Sequence, residues 1–201
     1  MSRHTSTMKP DLFAGYYAVD PDPWQFTTSE YERAKYAATV ASLPKPTYRA
    51  GLEIGCSIGV LTREFAQRCG TLVSTDVVES ALDSARSICR DQSNVRFTLS
   101  VAPDEWPEGK FDLIVLSEVL CFFDRADLAR MVERVEGSLL PGGDVIIVNW
   151  LGETNFPLTG DEASEGFIEG AARFAHRIHQ ERTEKYRLDV LTRGMNGKKH
   201  G

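Results

Sequence analysis

From residue 48 onward the chain alternates short apolar runs with amphipathic stretches, regularly enough to read as strands and helices in turn. Residues 50–54, 71–75, 95–99, 111–116 and 144–149 have the length and apolar content of strands. Between them, residues 60–68, 80–89 and 127–139 carry apolar positions at helical spacing. Phe111-Asp112-Leu113-Ile114-Val115-Leu116 is nearly continuous in apolar character, as a strand covered on both faces would be. Glu79 or Ser80 is placed to cap the helix at 80, and Pro141-Gly142-Gly143 stops the one that ends near 139. This repeated order predicts a doubly wound, mostly parallel α/β sheet with right-handed crossovers.

The flanks are less regular. Residues 151–160 read as a polar loop and 162–174 as helical, while Tyr186-Arg187-Leu188-Asp189-Val190-Leu191 alternates as an edge strand would. At the other end, residues 1–28 read as irregular, with Pro21 and Pro23 fixing an extended path. The aromatic density of this segment (Tyr16-Tyr17, Trp24, Phe26) is unlike that of a disordered tail and predicts that it packs over something. Thr28 or Ser29 can cap a helix to about residue 41 with Tyr31, Lys35 and Ala38 on one face, ended by Pro44 and Pro46. The expected organisation is one domain over 1–201, with a lid segment at 1–28, a core at 29–193 and a frayed tail at 194–201.

Composition narrows the classes. At 201 residues the chain suits one domain with a sizeable core, and a net charge of -6 argues against a nucleic-acid surface. No apolar stretch approaches the roughly 20 residues of a membrane span. The N-terminus lacks the apolar core of a secretion signal. Cys56, Cys69, Cys89 and Cys121 have no metal-ligand spacing, so no metal is expected and free thiols in a reducing cytoplasm are the default.

Candidate chemistry sits at the carboxyl ends of the strands, where such sheets bind ligands. Leu52-Glu53-Ile54-Gly55-Cys56-Ser57-Ile58-Gly59 reads as a buried strand running into a glycine turn and a helix, with Asp76 at the tip of the next strand. That is the geometry of an adenosine-ligand site. Glu53 at its mouth is a poor neighbour for a pyrophosphate and a good one for a cation. Gly55 and Gly59 lie four apart, and Val60 stands where a dinucleotide fingerprint needs its third glycine. Both observations favour S-adenosylmethionine, with its ammonium and sulfonium, over NAD. On this reading Gly55, Cys56, Ser57 and Gly59 cradle the ligand and Asp76 accepts from both ribose hydroxyls. Val77 packs on the adenine, backbone at Val101 and Ala102 contacts it, and Ser117 lies beneath the methionine part. Glu118 points toward an acceptor whose pocket Trp150 walls. Tyr16, Tyr17, Trp24 and Trp150 are candidates to stack on the acceptor or shield a cation. His176 and His179 read as surface residues.

With these residues in hand, the chain resembles the Rossmann-like class I S-adenosylmethionine-dependent methyltransferases over about residues 30–193. A seven-stranded sheet follows from that resemblance. Ser57 departs from it by replacing a common middle glycine. Closer stretches are similar to the rhizobial nodulation protein S group: Asp22-Pro23-Trp24-Gln25-Phe26 with Tyr31-Glu32-Arg33-Ala34-Lys35-Tyr36, then residues 111–120, 155–162 and 182–189. This resemblance implies N-methylation of the free amine of a deacetylated chitooligosaccharide, with Glu118 catalytic and Tyr16, Trp24, Trp150 and Asp161 at the acceptor.

Overall fold

In the computed structural model, which describes residues 2–195, seven strands form one sheet in the order β3-β2-β1-β4-β5-β7-β6. These are β1 (Tyr48–Ile54), β2 (Cys69–Asp76), β3 (Val95–Leu99), β4 (Phe111–Ser117), β5 (Leu139–Trp150), β6 (Ala175–Arg182) and β7 (Tyr186–Arg193). The first five in chain order run parallel; β7 is antiparallel to β5, and β6 to β7. The chain steps outward from β1 to β3 and then returns to β4 on the other side of β1. Strand order therefore reverses between β1 and β4, the place where such sheets open a crevice at their carboxyl edge.

Helices cover both faces. α5 (Arg125–Ser138) and α6 (Gly160–Ala171) bury Leu128, Met131, Val135 and Phe167 against Leu52, Ile114, Leu116 and Ile147 on one face. On the other face α3 (Val60–Ala66) sets Leu61 and Phe65 against Leu72, Leu113, Val115 and Ile146, and α2 (Glu30–Ala41) packs Tyr31, Tyr36 and Val40 against the same cluster. β4 is covered on both faces as its composition required, with Leu113, Ile114, Val115 and Leu116 fully buried. α2 begins at Ser29, whose hydroxyl accepts from the Glu32 N–H. α5 begins at Asp124, which accepts from the N–H groups of Ala126 and Asp127.

Several expectations need correction. Residues 10–19 form a helix, α1 (Pro10–Val19), with Pro10 opening its first turn. The segment that follows, through Pro21 and Pro23, turns on itself: Asp22 accepts from the N–H groups of Phe26 and Thr27. Neither Glu79 nor Ser80 caps α4 (Glu79–Ile88); Val78 holds the cap position and donates its N–H to Asp76. β5 starts at Leu139, so Pro141-Gly142-Gly143 lies inside the strand, where its register with β4 shifts. The 186–191 strand is internal to the sheet, and β6 is the edge. Its polar residues are buried with the rest because they pair with one another: Arg187 donates to both Asp189 oxygens, at 2.6 and 3.2 Å. His176 and His179 lie exposed on β6, as expected, and all four cysteines are free and buried. Of the expected tail, residues 196–201 lie outside the described residues.

Gly59 heads α3 at φ 84°, and a Cβ there would sit 2.8 Å from the Cβ of Ala85 and 2.9 Å from its Cα on α4. Gly59→Ala should therefore lose on the order of 1–3 kcal/mol through left-handed strain and helix displacement. A urea midpoint lowered at unchanged slope would register it; wild-type stability would contradict this packing.

Candidate active site

The turn after β1 is pinned to the end of β2. The N–H groups of Gly55 and Cys56 both donate to the Thr75 carbonyl at 2.8 Å, and the Ser57 N–H donates to Asp76 Oδ2 at 2.8 Å. Gly55 and Ser57 take positive φ, 77° and 50°, to bend the backbone this sharply. For a serine that is a sparsely populated conformation, held here by its neighbours. The Tyr17 hydroxyl of α1 closes the turn from above, 2.5 Å from Ser57 Oγ.

A second strained residue stands at the end of β4. Glu118 has φ 58°, and its carboxylate is fully engaged. Oε1 accepts from Lys35 Nζ at 2.7 Å and Oε2 from the Trp150 N–H at 2.7 Å. Lys35 is only 3% exposed, yet it also lies 2.9 Å from Glu32 Oε2. Burial by itself would lower its pKa, but the two carboxylates outweigh burial and hold it above its ordinary value.

Between these two strand ends lies a cavity of about 530 Å³, within the range that small-molecule sites occupy. Its walls are mainly apolar and aromatic. Phe13, Phe122 and Phe156 stack edge-to-face in series at 4.8 Å, and Trp24 stacks on Phe26 at 5.7 Å. Of the residues expected at the site, Glu53, Gly55, Cys56, Ser57, Asp76, Val77, Val101, Ala102, Ser117, Glu118, Trp24 and Trp150 all line this cavity, as does Tyr17.

Three expected residues stand outside it. Gly59 is occupied with the α3–α4 contact. Tyr16 is exposed on the outer side of α1, edge-on to Trp24. Asp161 lies at the start of α6, with its carboxylate held by Arg182 and Arg187. Glu53 lines the cavity but is not an open mouth charge: it is 2% exposed and accepts from Thr62 at 2.7 Å and Ser74 at 2.8 Å. Burial pushes its pKa up to about 7, against the pull of those two hydroxyls. Burial likewise raises the Asp76 carboxyl.

Sequence reading missed the wall that α2 builds, with Tyr31, Glu32, Lys35 and Tyr36 all lining the cavity. One signal was available: a lysine on the inward stripe of an amphipathic helix must find a carboxylate. Among the residues lining the cavity, Glu32, Glu53, Asp76 and Glu118 are acidic and Lys35 is the single basic one.

The family model for nodulation protein S (NodS) matches residues 7–149. The chain belongs to the nodulation protein S family. The signature-like stretches at 155–162 and 182–189 lie beyond the matched span. Nodulation protein S of Rhizobium tropici is 32% identical over 127 residues, covering 62% of this chain and 53% of that protein. Phosphoethanolamine N-methyltransferase 1 of Arabidopsis thaliana is 26% identical over 136 residues, 66% of this chain and 27% of its own length. The chain thus spans about half the length of the curated nodulation relatives it matches.

Among solved structures, the N-methyltransferase NodS of Bradyrhizobium japonicum in complex with S-adenosylhomocysteine superposes with a TM-score of 0.78 at 19% identity. That match covers 92% of this chain and 99% of that one. A Pseudomonas syringae protein provisionally described as a methyltransferase gives a TM-score of 0.73 at 34% identity, covering 82% and 100%. The sheet and its flanking helices are the Rossmann-like class I methyltransferase fold.

The raised Glu53 pKa makes the ligand-free fold pH-sensitive. A carboxyl raised in the folded state binds more protons folded than unfolded, so stability falls as pH climbs from the ordinary carboxylate range through about 7. The loss attributable to Glu53 is on the order of 3 kcal/mol. Glu53→Gln should flatten the difference between urea unfolding at pH 5.5 and at pH 8. An unchanged pH profile in the variant would contradict the assignment.

Proposed function

We propose that the protein is an S-adenosylmethionine-dependent N-methyltransferase, and that its acceptor is the free amine of a deacetylated chitooligosaccharide. The observation that carries this reading is the lining of the cavity: mainly apolar and aromatic walls, with acidic side chains and a single lysine that Glu32 and Glu118 already bind. Such a lining suits amines and sulfonium and repels phosphate. It therefore favours a sugar amine over phosphoethanolamine, the acceptor in the names of the plant relatives, since no unengaged cation among the lining residues could receive a phosphate.

The cofactor fits the turn end by chemistry and size. Asp76, at the tip of β2, is the acceptor for ribose hydroxyls, and Val77, Val101 and Ala102 supply apolar and backbone contacts for the purine. Gly55, Cys56, Ser57 and Ser117 bring the turn and the end of β4 close to the ligand's amino-acid part. S-adenosylmethionine, when bound, supplies a methyl group on a sulfonium that leaves as a neutral thioether while the acceptor nitrogen's lone pair forms the new N–C bond.

The chain's own contribution is placement and exclusion of water. The Tyr31, Tyr36 and Trp150 rings line the cavity, with Lys35 5.4 Å and Lys185 4.9 Å from the Tyr31 ring centre, and α1 with residues 20–28 roofs it. Glu118 lines the cavity next to Lys35. Its two engaged oxygens make it a positioning residue for Lys35 and β5 rather than a free proton acceptor. Trp24 and Trp150 remain the aromatic candidates for the sugar faces.

Transfer of a labelled methyl group should reach a deacetylated chitooligosaccharide and leave phosphoethanolamine unlabelled; absence of transfer to any amine would sink the enzyme reading. Asp76→Asn should weaken S-adenosylhomocysteine affinity by about tenfold or more in calorimetry, the loss of a charge-assisted hydrogen bond. Unchanged affinity would move the ribose elsewhere.

A further inference from the structure

Ser57 occupies a position that suits glycine. Its φ is 50°, in the left-handed region where a side chain costs free energy. What the turn needs from it is its backbone: the Ser57 N–H, which any residue but proline would supply, donates to Asp76 Oδ2 at 2.8 Å. Its hydroxyl points elsewhere. Among the described residues that hydroxyl has one partner, the Tyr17 hydroxyl of α1, at 2.5 Å. Tyr17 is the buried residue of α1, and its ring clusters with Ile58 and Val78 beside the turn. Burial and the nearby Asp76 carboxylate raise its pKa, so the phenol keeps its proton and the contact is a neutral one.

The roof is held unequally at its two ends. Just ahead of α1, the Met8 N–H donates to the Phe122 carbonyl at 2.9 Å, and Thr7 donates to Asp124 and Asp127. These bonds fix the N-terminal end. Past the C-terminal end, the hydrogen bonds of residues 20–28 stay local: Asp22 accepts from Phe26 and Thr27, and the Gln25 carbonyl from Thr28 and Ser29. Aromatic packing supplies most of the hold there, with Tyr17, Trp24, Phe26 and Tyr36 in a series of ring contacts at 5.5 to 6.1 Å. Among the described residues, Tyr17–Ser57 is the one hydrogen bond that ties this half of the roof to the sheet. A segment anchored at one end, with a single directed bond at the other, belongs to the part of a fold that opens most easily.

Both hydroxyls border the cavity beside Asp76, the ribose acceptor, so a cofactor in place there lies next to the contact between roof and turn. We infer that Tyr17 and Ser57 form a latch between roof and turn, whose opening sets how fast the cofactor enters the cavity and its thioether product leaves. The assignment rests on the cofactor lying at the β1 turn and on nothing about the acceptor. The latch consists of protein atoms alone, so it slows exchange in both directions and changes affinity less than it changes rates. It gives the serine a role that glycine could not fill: its backbone holds Asp76 while its side chain holds the roof.

Stopped-flow tryptophan fluorescence on the full chain, with Trp24 5.5 Å from the Tyr17 ring as reporter, measures both rate constants for S-adenosylhomocysteine. Ser57→Gly keeps the N–H that Asp76 accepts and relieves the left-handed strain, so its urea midpoint should equal or exceed that of wild type. Its association and dissociation rate constants should both rise about fivefold, the equivalent of one lost hydrogen bond, with affinity moving by less than either rate. Tyr17→Phe should do the same. The double variant should exchange no faster than either single one, because both remove the same contact. Unchanged rates in either single variant, or effects that multiply in the double, would overturn the latch and leave the cofactor site in place. Faster dissociation at unchanged association would also overturn it, as the mark of a direct contact with the cofactor. A wild type that binds no S-adenosylhomocysteine would remove the cofactor from the turn, and the latch with it.

Discussion

A lysine ammonium removed from water must be surrounded by carboxylates, and at Lys35 that requirement ties α2 to the ends of β4 and β5. The ammonium comes from α2, one carboxylate from the same helix and the other from Glu118 just past β4, whose second oxygen accepts from the N–H of Trp150, the last residue of β5. Removing one partner of such a buried group costs about 3–5 kcal/mol, because the remaining charge is left unanswered. The ion pair thus fixes how α2 lies across the strand ends, and α2 in turn forms one wall of the cavity.

The opposite end is fixed by backbone. Asp76 and Thr75 take three N–H groups of the turn after β1, and the Tyr17 hydroxyl meets Ser57 from α1. Ser57 and Glu118, at the two strand ends flanking the reversal of strand order, both adopt left-handed backbone conformations that non-glycine residues rarely take. Strain at both lips of one crevice, each held by a network that crosses elements, is what a binding site built for fixed geometry looks like. The two ends also differ in electrostatic character. Glu53 and Asp76 sit in burial that works against ionisation, whereas Glu118 and Glu32 are anchored on a cation.

The parallel core was legible because its signals are local. An apolar run such as 113–116, a glycine turn and a terminal aspartate each carry their meaning within a few residues. What escaped reading depends on distant partners. Arg187 and Asp189 alternate with Leu188 and Val190, which reads as a strand with one wet face, yet 3% and 0% exposure show both polar residues buried in mutual pairing. α1 is apolar nearly all round rather than along one stripe and buries only Tyr17, so its sequence does not mark the face that packs on the site. Lys35 was visible as a helical position but not as an ion, since its two carboxylates are Glu32, one turn away, and Glu118, far along the chain. Asp161 was drawn to the acceptor by resemblance and found among arginines of β6 and β7.

The account's central claim is that one cavity holds both the cofactor, at the β1 turn, and the acceptor amine. A crystal structure with S-adenosylhomocysteine and a chitooligosaccharide bearing one free amine tests it most directly. The account requires ribose hydroxyls on Asp76 and the amine nitrogen inside the same cavity. A ribose bound away from Asp76, or a sugar lying on the outer surface of α1 with its amine outside the cavity, would contradict it.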